Sequence, residues 1–161
     1  MLLLITALLV ALAAGVFFAW SCSVTPGLGK VDDYTYLAAM QSMNRKIQNP
    51  VFFTCFFGAA ILLPVCTYMN YQHPATIHFC LLLAAAFCYL TGVMGVTIVG
   101  NIPLNNKLDM MDLKNATAAQ MAGFRAGFES VWNLLNNIRT IAATVSLLLV
   151  LIACVYGNRQ S

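Results

Sequence analysis

Charge is what this sequence has least of. Lys, Arg, Asp and Glu make up 8% of its 161 residues, against about 25% in soluble domains. Hydrophobic residues make up 61%. A water-soluble fold of this length could not hide so much apolar surface. The composition therefore predicts a multi-pass integral membrane protein, with the lipid bilayer as its solvent. The length predicts a single domain over residues 1–161. The net charge of +3 comes from few residues. No basic run and no aromatic-plus-basic patch is present, so no nucleic-acid partner is expected.

Metal-ligand spacing is missing too. Cys22, Cys55, Cys66, Cys80, Cys88 and Cys154 form no CxxC pair. Most lie in apolar runs, where a thiol behaves as a small hydrophobe. His73 and His78 stand five apart with no acidic or Cys partner nearby. No disulfide framework, metal or other cofactor is expected. Residues 1–21 lack the basic start of a secretory leader, and Ala19-Trp20-Ser21 is a poor cleavage box before Cys22. They are expected to be a retained first span.

Long apolar runs are what the chain does have. A helix needs about 20 apolar residues to cross the hydrocarbon core. Four runs qualify, at about residues 2–23, 50–70, 76–99 and 138–156. No charge falls between Lys46 and Lys107, so spans two and three form an uncharged hairpin. Its connection carries Pro74, where a helix can restart. Asn49-Pro50 predicts a helix start, Asn as cap and Pro at the first position. Gly100 and Pro103 in "NIPLNN" predict that span three ends there, with Asn101 capping its end.

The connections over 24–49 and 100–137 are long and hold nearly all the charge. Leu37, Met40, Asn44 and Ile47 share a helical face, which predicts a surface helix in the first. No proline falls between about Ala116 and Tyr156, which predicts one long helix running from water into span four. The fold class is thus all-α: a four-helix transmembrane bundle with short amphipathic helices in two long connections on one membrane side. Lys30, Arg45, Lys46, Lys107, Lys114, Arg125 and Arg139 fall on that side, and Arg159 alone on the other. The positive-inside rule places the long connections in the cytoplasm and both termini outside. A weak repeat relates the halves through Pro26 and Pro103. Gly123-xxx-Gly127 and Gly92-xx-Gly95 predict close helix contacts.

"ESVWNLLNNIRT" holds the most chemistry. On a helix Glu129, Trp132, Asn136 and Arg139 step by 3, 4 and 3, forming one stripe. Such a stripe does not face lipid comfortably, and ionisable groups at a bundle mouth are functional candidates. Each residue also has a structural reading. Arg139 can snorkel, Glu129 can pair with Arg125, Trp132 can anchor the interface, and asparagines close turns. The stripe and NIPLNN share a membrane side, so Asn101 and Asn105 are expected to turn toward Arg139.

Four ordered motifs then carry a resemblance. They are "GVFFAWSCSVTPGL" leaving span one, "MQSMNRKIQNP" entering span two, "NIPLNNKL" leaving span three, and W-x3-N-N-x-R-T (Trp132 to Thr140) entering span four. Together they resemble the anthrone oxygenase-like family of small four-span membrane proteins. The resemblance implies oxidation of an anthrone to an anthraquinone with O2. It departs at Asn137, where many members carry a histidine.

The chemistry can be argued from the reaction itself. The central CH2 of an anthrone is acidic because its carbanion is a delocalised phenolate. Such an anion can pass an electron to O2 directly, so neither flavin nor metal is required. The protein must bind a flat apolar ring system, remove a proton and hold an oxyanion. Glu129 and Arg139 are the catalytic candidates, as base and oxyanion partner. Asn44, Asn101, Asn105, Trp132 and Asn136 are the candidates for substrate binding. Two other classes stay open: a non-enzymatic membrane module, such as a complex subunit or a quinone or lipid binder, and, last, a small transporter.

Overall fold

The structure, a computed structural model, describes residues 1–157. They fold into α1 (Leu2–Leu28), α2 (Asp33–Lys46), α3 (Pro50–Met69), α4 (Ile77–Asp109) and α5 (Ala118–Gly157). Helices α1, α3, α4 and α5 are long and apolar enough to cross a membrane. Arg159, the lone cation assigned to the far side, lies outside the described residues.

Caps set the helix starts. The Asn49 side chain accepts from the Phe52 amide at 3.0 Å, with Pro50 at the first position of α3. Asp32 does the same for α2 through Thr35 at 3.0 Å. Thr76, not Pro74, caps α4, accepting from Phe79 at 3.2 Å. Helix α2 is the surface helix that the first connection predicts, burying Tyr36, Leu37, Met40 and Asn44. The second connection holds no separate helix among the described residues. It is built from the end of α4 and the start of the 40-residue α5, which is about 60 Å long at 1.5 Å per residue.

Span three does not stop at NIPLNN, contrary to expectation. The reason is a change of winding. Thr97–Asn101 of α4 is π-helical, and Ile102 donates to the Thr97 carbonyl, five residues back. In a regular α-helix the proline ring collides with the carbonyl four residues back. Here Pro103 falls in the first turn of a restarted α segment, where its missing N–H costs nothing. The helix runs on to Asp109, and the Asn101 side chain makes no cap hydrogen bond. Trp20–Val24 of α1 repeats the arrangement before Pro26. The two halves of the chain therefore share a wide turn followed by proline.

Two cores result. The membrane core joins Val10, Ala13, Phe17, Phe56, Ala59, Leu63, Tyr89, Val93 and Ala143. The helices approach closely at Gly92, where a Cβ would come within 2.4 Å of the Ala142 Cβ. Gly123 and Gly127 face open space instead, so that spacing is not a helix contact here. A second core outside it packs α2 against the ends of α4 and α5 through Tyr36, Leu37, Met40, Leu108, Phe128 and Trp132. Arg125 ties α2 and the α1–α2 loop to α5. It bonds the Val31 and Gly29 carbonyls at 2.7 and 3.1 Å, and pairs with Asp33 and Glu129 at 3.0 and 2.7 Å.

Candidate functional site

Between the two cores lies a cavity of about 320 Å³. Helix α1 supplies Phe17 and Trp20, α2 supplies Asn44, and α3 supplies Phe52, Phe53, Phe56 and Phe57. Helix α4 supplies Thr97, Asn101 and Asn105 from its wide turn and the turn after it, and α5 supplies Trp132, Asn136 and Arg139. π-Helical turns recur at functional sites because they redirect side chains and free backbone groups. Both wide turns at this end of the bundle contribute to the cavity wall.

Arg139 is the centre of the site. It is 7% exposed. Its guanidinium donates to Asn136 Oδ1 at 2.9 Å and to Thr97 Oγ1 at 3.4 Å. It lies 4.7 Å from the Phe17 ring centroid and 5.6 Å from that of Trp132. Its Nε has no partner, and no carboxylate pairs with it among the described residues. Burying an unpaired cation costs several kcal/mol. Two hydrogen bonds and the ring faces, each worth about 0.5–2 kcal/mol, offset only part of that.

The Asn136 orientation follows from proton counting. Thr140 Oγ1 donates to the Asn136 carbonyl at 2.9 Å. Its 2.8 Å contact with Ser21 Oγ must then use the Ser21 proton. That leaves Ser21 to accept from Asn136 Nδ2 at 2.8 Å. Asn136 Nδ2 also reaches the Phe17 carbonyl at 3.3 Å. Its Oδ1 therefore faces the guanidinium. Helix α1 thus fixes the amide that fixes Arg139.

The other amides divide into two kinds. Asn105 Oδ1 accepts from Trp132 Nε1 at 2.8 Å and from Asn44 Nδ2 at 3.2 Å, so it is structurally engaged. Asn101 is 1% exposed, and neither amide atom has a partner among the described residues. An unsatisfied buried amide is costly, so Asn101 is the part of the wall most in need of a ligand.

All six candidates other than Glu129 line this one cavity. Glu129 is held by Arg125 and is not part of the lining. Asn137 is exposed and also outside it. Ser21 and Thr97 are site residues that motif reading missed. Small polar residues within an apolar run, as in "WSCSV" and "VTIV", were the available signal. The described lining includes no carboxylate and no imidazole. No group of three or more His, Cys, Asp or Glu that could hold a metal ion occurs among the described residues.

The family model for anthrone oxygenase matches residues 52–149, well over half the chain. This chain belongs to the anthrone oxygenase family. The matched segment carries the α3, α4 and α5 walls, including Asn101, Asn105, Trp132, Asn136 and Arg139. It leaves out α1 and α2, which close the cavity with Phe17, Trp20 and Asn44. No curated protein and no solved structure matches the chain.

Proposed function

We propose that this anthrone oxygenase-family protein oxidises a flat, lipophilic aromatic ketone of the anthrone type with O2. The observation that carries the reading is Arg139, a buried guanidinium with no counter-ion among the described residues, set among aromatic faces. Substrate rings stack on Phe52, Phe56 and Trp132. The carbonyl oxygen lies at Arg139, with the Asn101 amide beside it. Charge on that oxygen grows as the CH2 loses its proton, so a fixed cation lowers the acidity barrier. Glu129 was the sequence-based candidate for the base. It is engaged by Arg125, so the proton passes to water at the Gln48 and Asn106 rim.

The anion then gives one electron to O2, and recombination forms a C–O bond as a ring hydroperoxide. Loss of the second ring proton with cleavage of the O–O bond yields the new C=O. One CH2 and one O2 become one C=O and one H2O, with no other reductant consumed. The site lies on the side of the long connections, which the positive-inside rule assigns to the cytoplasm.

A non-catalytic reading, a module that holds a quinone or lipid, rests on the same cavity and on the lack of an acid or imidazole in its wall. One assay separates the two. Protein in lipid nanodiscs is given a hydroxyanthrone, and quinone formation and O2 uptake are followed above a protein-free control. The wild type should turn over, and Arg139→Gln should lose about 10²-fold or more, as for removal of an oxyanion donor. Equal rates in both would refute the role of Arg139. Saturable binding without turnover would favour the module.

A further inference from the structure

The cavity has two kinds of rim. Gln48 and Asn106 are polar and exposed. Phe53, Phe57 and Ile102 also line it, yet are 38%, 46% and 44% exposed. Phe57 stands seven residues past Pro50, the start of α3, so it lies about 10 Å along that helix. An exposed side chain at that depth of a membrane-spanning helix faces lipid. Packing of α3 on α4 is concentrated toward their short connection. Near the wide turn of α4 the two helices leave a gap, with Phe53 and Phe57 on one edge and Ile102 on the other.

A run of rings leads inward from that gap. Phe53 and Phe57 are 5.6 Å apart, Phe57 and Phe56 are 5.3 Å apart, and Phe56 is 6.4 Å from Phe17. Phe17 lies under the Arg139 guanidinium. We infer that the cavity is reached sideways from the bilayer, between α3 and α4, with the Phe53 and Phe57 rings as the gate. The occupant is a flat apolar molecule dissolved in lipid. Its polar edge meets Arg139 only after its rings have passed along phenylalanines, so it never crosses bulk water. This inference rests on the cavity and its rims and does not require turnover.

Two photoreactive probes test the route on full-length protein in phosphatidylcholine nanodiscs. One is a phosphatidylcholine with an aryl diazirine on an acyl chain, which cannot approach through water. The other is a sulfonated aryl diazirine, confined to water. Adducts are mapped by mass spectrometry at Phe17 and Phe56, which are 3% and 4% exposed. The lipid-borne probe should label these inner residues as well as Phe53 and Phe57. Labelling of the inner residues by the sulfonated probe alone, or by neither probe, overturns the lateral route. The double substitution Phe53→Ala and Phe57→Ala should raise the inner yield of the lipid-borne probe. An unchanged yield in a folded double variant overturns the gate.

Discussion

Arg139 lies with its guanidinium 4.7 Å from the ring centre of Phe17, more than a hundred positions away in sequence. The pair keeps a cation inside the protein where a carboxylate would normally be required. Its consequence is a tension between stability and use. Arg139→Gln should raise the melting temperature of the empty protein or leave it unchanged, because a buried unpaired charge is removed. The same change should abolish binding of an anionic aromatic. Arg139→Lys should keep the charge but lose the planar fork and the stacking. Thermal melts with and without an added hydroxyanthrone give both readouts. A large drop in the ligand-free melting temperature of Arg139→Gln would mean that the arginine is structural.

Asn101 carries the same logic without charge. Asn101→Leu removes two unsatisfied buried atoms at similar volume. It should stabilise the empty protein by about 1 kcal/mol while weakening ligand binding. Loss of stability with normal binding would show that its amide is satisfied in the folded protein and serves packing.

The glycines separate by neighbour. Gly92→Ala drives a methyl against Ala142 and should cost about 1–3 kcal/mol. Ala142→Gly should restore part of that loss in the double variant. Gly123→Ala meets no atom within 4 Å and should stabilise α5 by about 0.5–1 kcal/mol. Denaturation in mixed micelles ranks the three. The prediction fails if Gly92→Ala and Gly123→Ala shift stability in the same direction.

Arg125 is the fastening of the outer layer. Arg125→Gln removes bonds to two loop carbonyls and leaves Asp33 and Glu129 without their cation. The amides of α2 should then exchange hydrogen faster, while those of α3 and α4 in the membrane stay protected. Unchanged exchange across residues 33–46 would show that the apolar contacts of Tyr36, Leu37 and Met40 suffice.

The spans, the caps at Asn49 and the inward stripe of Trp132, Asn136 and Arg139 were legible because each depends on local spacing. So was the approach of Asn101 and Asn105 to the same cavity, since NIPLNN and the stripe lie on the same membrane side. The winding of α4 was not legible. Gly100 and Pro103 look like a stop, and only a shift of the hydrogen-bond pattern lets the helix pass. Glu129 has two readings at helical spacing, a place on the stripe and a pair with Arg125 one turn earlier. The pair is the one that forms, with Arg125 itself held by the loop at Gly29 and Val31. The Ser21 and Phe17 partners of Asn136 sit 115 and 119 residues away, beyond any local pattern.

Trp20 and Trp132 have ring centres 5.0 Å apart, both line the cavity, and the chain has no other tryptophan. All of its indole fluorescence therefore originates from one patch of wall, beside Arg139. The protein carries a built-in optical probe of its own cavity, and occupancy can be titrated in a bilayer with no label attached.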